Sequence, residues 1–452
     1  MDGFMDDQLA RLTGALIDAA RRAGADAADA IAVDGTSVSV DVRRGRLEQA
    51  ERSEGIEIGL RVLIGRRQAC VSSSDTSDTT MAMMAERAVA MAREAPEDPF
   101  AGLADPAQLS ARRDAAGLEL DDPAPEAAPA ALEEDARRAE AAALGVAGVS
   151  QIDQASAGYG RRRVYLAASN GFAGGYARTS RSVSCVAITG EGTGMERDWN
   201  AESRLWQSDL PDPDEVGRIA GERAVARARA RRPRTGAFPV LYDERIASSL
   251  IGHLLSAING TAVARGASWL RDALGEAVLP DGLSLVEEPH RPRIAGSRLF
   301  DAEGLPTARR AIVEDGVLTG WVLDLATGRK LGRPSTANAT RGTSAPPSPG
   351  TSNLTLMPGR HSRDDLLRDM GTGLLVTSMI GSSINPTTGD YSRGASGFWV
   401  ENGQIAHPVN ECTVAGNLRD MLRRITPAND ARQHLSTRVP SLLVEGLTLA
   451  GD

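Results

Sequence analysis

Lysine is nearly missing from this chain: of its 51 basic residues only Lys330 is lysine, so a cluster of arginines reflects overall composition as much as function. Long apolar runs are missing too, and no stretch approaches the roughly 20 apolar residues that a membrane-spanning helix needs. Cysteine is scarce. Cys70, Cys185 and Cys412 are an odd number without CxxC or CxxxC spacing, which speaks against a disulfide framework or a cysteine zinc site and leaves buried free thiols. The first residues, MDGFMDDQLARL, lack the basic and the continuous apolar segments of a secretory signal, so the expected location is the cytoplasm, with no membrane association. With 60 acidic residues the net charge is -9, which repels phosphate backbones on average and argues against a nucleic-acid partner.

What remains is an ordinary globular composition, 41% apolar and 25% charged, in a chain of 452 residues. That length exceeds what one core usually organises and predicts two domains. Residues 7–23 place Leu9, Leu12, Leu16 and Ile17 at helical spacing ahead of Gly24, a suitable C-cap. Short alternating runs such as SVSVDV and EIGLRVLIG then predict a meander of antiparallel strands, followed by a helix over 75–94 with Asp and Thr available as caps. Connecting loops rich in Pro and Ala are expected over 95–130, a helix over 131–145, strands over 148–207 and a helix over 214–232. The basic run at 223–234 ends that helix before Pro233, where arginines favour the C-terminal dipole and solvent. The linker RRPRTG sets the predicted boundary at about 235, giving domains 1–235 and 236–452.

The second half is dense in glycine turns and short strands, with helical patterns at 243–257, 363–370 and 416–424. Segment 340–353 (TRGTSAPPSPGTSN) reads as a mobile surface loop. The expected fold is α+β: two domains, each with largely antiparallel sheets and packed helices, the C-terminal one β-rich.

Short motifs carry little. GEGTG at 190–194 follows a strand but is not followed by the helix that a dinucleotide loop must open, so it reads as a hairpin turn. GASG at 394–397 misses the GxSxG pattern, which makes Ser396 a poor nucleophile. EEPH at 287–290 sets two carboxylates beside His290, yet Pro289 prevents helical presentation and no second histidine lies near. His253 falls near the apolar face of the helix IASSLIGHLLSA, where zinc chemistry would need further N, O or S ligands and a carboxylate base; the residues before it offer only serines.

Longer runs are more specific. GHLLSAINGTAVARGASWL, FDAEGLPTARRAIVEDGVLTGWVLD, TGDYSRGASGFWVENGQI and ECTVAGNLRDML, in this order across 236–450, resemble the PmbA/TldE side of the TldD/PmbA family, and SVSVDVRRGRLEQAERSEGIEIGLRVLIG fits the family's N-terminal domain. In the TldD subunits of that family an HExxxH motif supplies two metal ligands and a catalytic glutamate. Laid on this chain, the motif covers 248–253: Ser248 replaces the first histidine, Ser249 the glutamate, and only His253 remains. The C-terminal cysteine ligand is also absent from LSTRVPSLLV. Serine binds Zn²⁺ weakly and is no general base near pH 7.

The resemblance therefore implies no metal or cofactor in this chain, zinc in a TldD-like catalytic partner, and unfolded or modified peptides as substrates of the pair. Strand-rich walls suit an extended peptide held by main-chain hydrogen bonds. The block 389–403, with Gly389, Asp390, Tyr391, Ser392, Arg393, Gly394 and Trp399, is the expected cavity lining. Two other readings stand beside this one: an independent homodimeric hydrolase using Asp390, Ser392, Ser396 or a metal at His253, and a non-enzymatic peptide-binding dimer.

Overall fold

The computed structural model describes residues 2–451, with the side chains of residues 2–7 and of Ser382 excepted. The expected α+β fold is what the chain adopts. Its first half builds one antiparallel six-stranded sheet from β1 (Ala27–Arg43), β2 (Arg46–Ile64), β3 (Arg67–Ser73), β4 (Val149–Ala168), β5 (Ala173–Thr189) and β6 (Glu196–Arg204), in the order β3-β2-β1-β4-β5-β6. Alternation decides what each face does. On β1, Ala28, Ala30 and Ala32 join Ile58, Leu60 and Val62 of β2 beneath α1 (Asp2–Arg22) and α2 (Asp78–Glu94). Farther along the same face, Val38, Val40 and Val42 pack beneath α3 (Pro129–Leu144) and α4 (Pro213–Ala226). The intervening odd positions, Ile31 and Val33, turn with Val164 and Leu166 to the opposite face, where Phe172 and Phe300 meet edge to face at 5.0 Å.

Local chemistry sets the boundaries. The cap of α2 is Ser77, whose hydroxyl accepts from the Thr80 amide at 3.3 Å, rather than the Asp or Thr expected. GEGTG forms the turn between β5 and β6. Helix α4 stops at Ala226, short of the predicted 232. Most of the arginines that follow are solvent-exposed, as expected of the run, namely Arg229, Arg231, Arg232 and Arg234, and Arg232 pairs with Glu411 at 2.7 Å. Arg227 is the exception, largely buried and donating to Ser396 Oγ in the second half at 2.9 Å.

In the second half, β7 (Gly236–Tyr242), β8 (Gly373–Ile384), β9 (Asp390–Glu401), β10 (Gln404–Asn417) and β11 (Leu442–Ala450) are ordered β10-β9-β8-β7-β11. β10 also pairs with β11, which closes the sheet on itself. β7 and β8 run parallel, an exception to the antiparallel rule. Their connection includes the helix α5 (Glu244–Ala257) and four strands of a smaller five-stranded sheet, Leu285–Glu287 and Leu354–Leu356 among them, which Thr437–Arg438 completes. Strands approach closely at Gly397, where a Cβ would lie 1.9 Å from the Leu375 carbonyl oxygen. Among the described residues no helix is long and apolar enough to cross a membrane.

Segment 340–353 departs most from expectation. Ala339–Thr340 pairs with Ser348–Pro349, and the tip between them inserts into the first half instead of moving in solvent. Thr343 is buried and its hydroxyl donates to Glu57 at 2.5 Å; the Thr343 backbone packs on Gly59, where any Cβ would clash. Arg341, its side chain fully buried, pairs with Asp29, which also receives Arg61 Nε at 2.8 Å. Burial alone would raise the Asp29 pKa, but Arg341 and then Arg61 outweigh it and hold the carboxyl below its ordinary value. Asp29→Asn leaves two buried guanidinium groups without a counter-charge and is expected to cost about 3–5 kcal/mol, read as a lower urea midpoint. Because the native pKa is depressed, the wild-type contribution is present above the unfolded value near 3.8 and is lost as pH falls from there through the native value; the variant lacks that acid-dependent loss.

Candidate functional site

Helix α5 begins at Asp243, whose carboxylate accepts from the Arg245 amide at 3.2 Å. Ala247, Leu250, Ile251, Leu254 and Ala257 form its buried stripe. Ser248, Ser249 and His253 lie beside this stripe, half-buried. The His253 ring meets Tyr391 of β9 edge-on at 5.9 Å, and Tyr391 Oη points to Met379 Sδ at 3.2 Å. Tyr242, at the end of β7, is fully buried. His253 Nε2 and Ser249 Oγ are buried without a hydrogen-bond partner, and the phenols of Tyr242 and Tyr391 interact with each other.

Burial, reinforced by the nearby Arg393 guanidinium, drops the His253 pKa to about 4, so the ring is neutral at pH 7. Burial raises the phenol pKa of Tyr391, and of Tyr242 further still, so neither supplies a phenolate. The family's catalytic metal does not fit these side chains. One imidazole, two serine hydroxyls and two neutral phenols are a poor donor set, and Arg393 opposes a second cation. Among the described residues no three His, Cys, Asp or Glu side chains come together as a metal would require.

The other expected residues disperse. Gly389 sits at φ +82° in the turn before β9, against Trp269. Asp390 is exposed and accepts from Thr388 Oγ1 at 2.6 Å and Asn417 Nδ2 at 3.1 Å, contacts that lower its pKa. Ser392 and Gly394 lie in the β8–β9 ladder, and Arg393 Nε donates to the Gly381 carbonyl at 2.6 Å. Trp399 is a core residue, 2% exposed, packed edge-on against Phe238 at 5.0 Å. Ser396 is buried under Arg227. The acids of EEPH separate as well: Glu287 pairs with Arg310 at 2.9 Å, Glu288 accepts from Thr355 at 2.7 Å, and His290 contacts Thr307 at 3.0 Å.

A sizeable cavity lies elsewhere. A cleft of about 960 Å³ opens between the helix-free face of the first sheet and loops of the second half, and none of the expected cavity residues borders it. Its sheet wall alternates in step across strands: Ile31 and Val33 on β1, Arg162 and Val164 on β4, Tyr176 and Arg178 on β5. Arg298, Phe300 and Arg341 come from the other side. Sequence reasoning missed these residues. The alternation in RRRVYL was the available signal, but it gives no register with β5.

Three family models match the chain in order: the PmbA/TldA metallopeptidase domain 1 at 28–92, its central domain at 120–228 and its C-terminal domain at 235–451. Fold and matched domains together define a protein of metallopeptidase type. The chain is 37% identical to the metalloprotease PmbA of Escherichia coli O157:H7 over 94% of its length and 93% of that protein. It is 35% identical to the PmbA homolog of Haemophilus influenzae over 99% and 97%. A crystal structure described as a modulator of DNA gyrase, from Bacteroides thetaiotaomicron, superposes with a TM-score of 0.89 at 28% identity, covering 98% of each chain. TldE from Thermococcus kodakarensis shares the fold, with a TM-score of 0.85 at 18% identity over 97% of this chain and all of that one. The chain belongs to the PmbA/TldD family.

A titration tests the electrostatics of α5. With its native pKa lowered to about 4, His253 binds fewer protons in the folded than in the unfolded chain between pH 6.5 and 4, so stability falls as pH falls through that window. His253→Phe is expected to flatten that part of the urea-midpoint profile, and the His253 ring protons should show no shift above about pH 5 by NMR.

Proposed function

We propose that this chain is the substrate-holding, non-catalytic subunit of a cytoplasmic two-chain metallopeptidase, whose TldD-like partner carries the zinc and the catalytic glutamate. One observation carries the reading: where the resemblance puts a metal-binding motif, α5 presents Ser248, Ser249 and a neutral His253 beside the Arg393 cation. A chain so built supplies neither ligands nor a base, and its contribution to peptide cleavage is to stabilise the partner and to hold the peptide. Sheet walls serve that second task, because main-chain hydrogen bonds grip an extended peptide with little regard to side chain. Unfolded and modified peptides are the substrate class that follows. The relatives named metalloprotease PmbA are in keeping with the reading at the level of reaction class.

The test is cleavage of an unfolded peptide by the purified chain alone, by the TldD-like chain of the same organism alone, and by the mixture, each with a chelator control. Activity is expected in the mixture and not in this chain alone. Ser249→Ala in this chain should leave the mixture's rate within about twofold, while replacing the partner's motif glutamate should abolish it, since removing a general base costs on the order of 10²-fold or more. Chelator-sensitive cleavage with stoichiometric metal in the lone chain would overturn the proposal in favour of an independent hydrolase.

A further inference from the structure

The cleft between the halves holds positive charge that the protein itself does not neutralise. The β4–β5 register sets Arg162 directly opposite Arg178, and both line the cleft. Like charges at opposed positions on neighbouring strands destabilise a sheet. Arg298 faces them from the second half, and the guanidinium pKa of Arg178 is lowered by burial, then by Arg298 and Arg162. The other arginines of the cleft are matched: Arg161 with Asp121, Arg204 with Glu202, Arg293 with Glu119 and Asp209, Arg341 with Asp29.

The acids of the cleft are engaged too. Glu54 pairs with Arg52, Glu57 accepts from Thr343, and Asp301 accepts from the amides of Glu303, Leu305 and Ala339. Among the described residues Arg162, Arg178 and Arg298 form no ion pair, although Arg298 lies near enough to Asp301 to oppose the rise that burial gives the pKa of that carboxyl. Arg178 Nη2 donates to the Ser297 carbonyl at 2.8 Å, and Arg298 donates to the carbonyls of Ala339 at 3.2 Å and Gly350 at 2.9 Å. The Nε groups of both Arg178 and Arg298 are buried and donate to nothing. A buried donor of this kind is costly to leave unmade, and a local rule broken at this cost marks a site whose ligand is missing.

Charge is only half of the lining. Ile31, Val33, Val164, Leu166 and Phe300 give the same cleft an apolar floor. Its volume of about 960 Å³ is at the upper end for small-ligand pockets and exceeds what a bare inorganic anion would fill. We propose that the cleft binds the carboxylate-bearing part of a peptide, a free C-terminus or acidic side chains, with Arg162, Arg178 and Arg298 on the carboxylates and the apolar floor under the neighbouring side chains. Guanidinium suits this task, since its planar fork receives a carboxylate through two parallel hydrogen bonds. The inference rests on the peptide-holding reading above and adds a charge preference to it.

Binding to the full chain separates the two. Short rhodamine-labelled peptides of acidic, neutral and C-terminally amidated acidic sequence, with inorganic phosphate as competitor, are followed by fluorescence anisotropy. The acidic peptide is expected to bind best, to weaken with salt, and to lose about tenfold or more in affinity with Arg178→Gln or Arg298→Gln. Arg162→Gln, at an exposed position that tolerates change, should weaken binding likewise while raising the melting temperature of the free chain, because it relieves the Arg162–Arg178 repulsion. A merely structural arginine would lower both. Equal binding of acidic and neutral peptides, untouched by the variants, would overturn the charge preference and leave peptide holding intact. Phosphate binding that depends on the three arginines, with no peptide bound, would assign the site to a phosphate ligand and overturn the inference. No binding of any probe would also overturn it, while cleavage by the two-chain mixture would still decide the wider proposal.

Discussion

The most deeply buried ion pairing between the halves of this molecule centres on one carboxylate. Asp29 lies on the first sheet, 3% exposed, and receives Arg61 from the neighbouring strand and Arg341 from the second half. Two cations around one anion, all taken out of water, are tolerable only when the geometry is held by everything around them. Here the hairpin of Ala339–Thr340 and Ser348–Pro349 carries Arg341 in, and the close approach of Thr343 to Gly59 fixes its depth. The same hairpin supplies Thr340 and Arg341 to the wall of the cleft, so the ion triad also sets the width of the cavity.

That arrangement divides the first sheet by function. One face is closed by four helices over small residues, which let the helices lie close: Ala28, Ala30 and Ala32 at one end, and Ala136, Ala139 and Ala143 of α3 at the other. Gly217 of α4 meets α3 so closely that a Cβ would fall 1.9 Å from the Ala139 carbonyl oxygen. With the helices so placed, the opposite face is free for polar and charged positions. Alternation puts them there: Arg163 turns to the helices and pairs with Asp34, whereas its neighbour Arg162 turns to the cleft. A run of three arginines thus serves two faces with opposite demands, one satisfied by an acid and one left open.

What the sequence discloses is local periodicity. The stripe of α5, the alternation in SVSVDV, the turn GEGTG and the Gly24 cap are each visible within a dozen residues, and the structure builds an element from each. What it hides is pairing between distant segments. Nothing in TRGTSAPPSPGTSN announces that Arg341 will meet a carboxylate some three hundred residues earlier, because Pro, Ser and Gly also make mobile loops. Nothing in the strand patterns says that β10 will close on β11, or that Arg162 will oppose Arg178. The basic run after α4 is mostly solvated, as its charge suggests, and what that charge does not disclose is the one tertiary contact, of Arg227 with Ser396, at a junction between halves. The pattern at 248–253 was readable because it is contiguous; the cleft was not, because it is assembled from five strands of the first sheet and loops of the second half.

The geometry of α5 separates the positions that hold the fold from those that the resemblance assigns to metal chemistry. The positions that the resemblance assigns to metal and base, 248, 249 and 253, are not those of the buried stripe at Ala247, Leu250, Ile251, Leu254 and Ala257. Of the former only His253 touches the core, through Tyr391, so stability constrains Ser248 and Ser249 less than the stripe. The His253 imidazole lies edge-on to Tyr391, its pKa driven down by burial and by Arg393 and its Nε2 without a partner. The core of the second half, with Tyr242, Val376 and Trp399 around the same helix, carries on unaltered. The arginine-lined cleft lies apart from this helix, on the far side of the Asp29 junction, so the proposed peptide-holding role and the metal question rest on separate parts of the molecule.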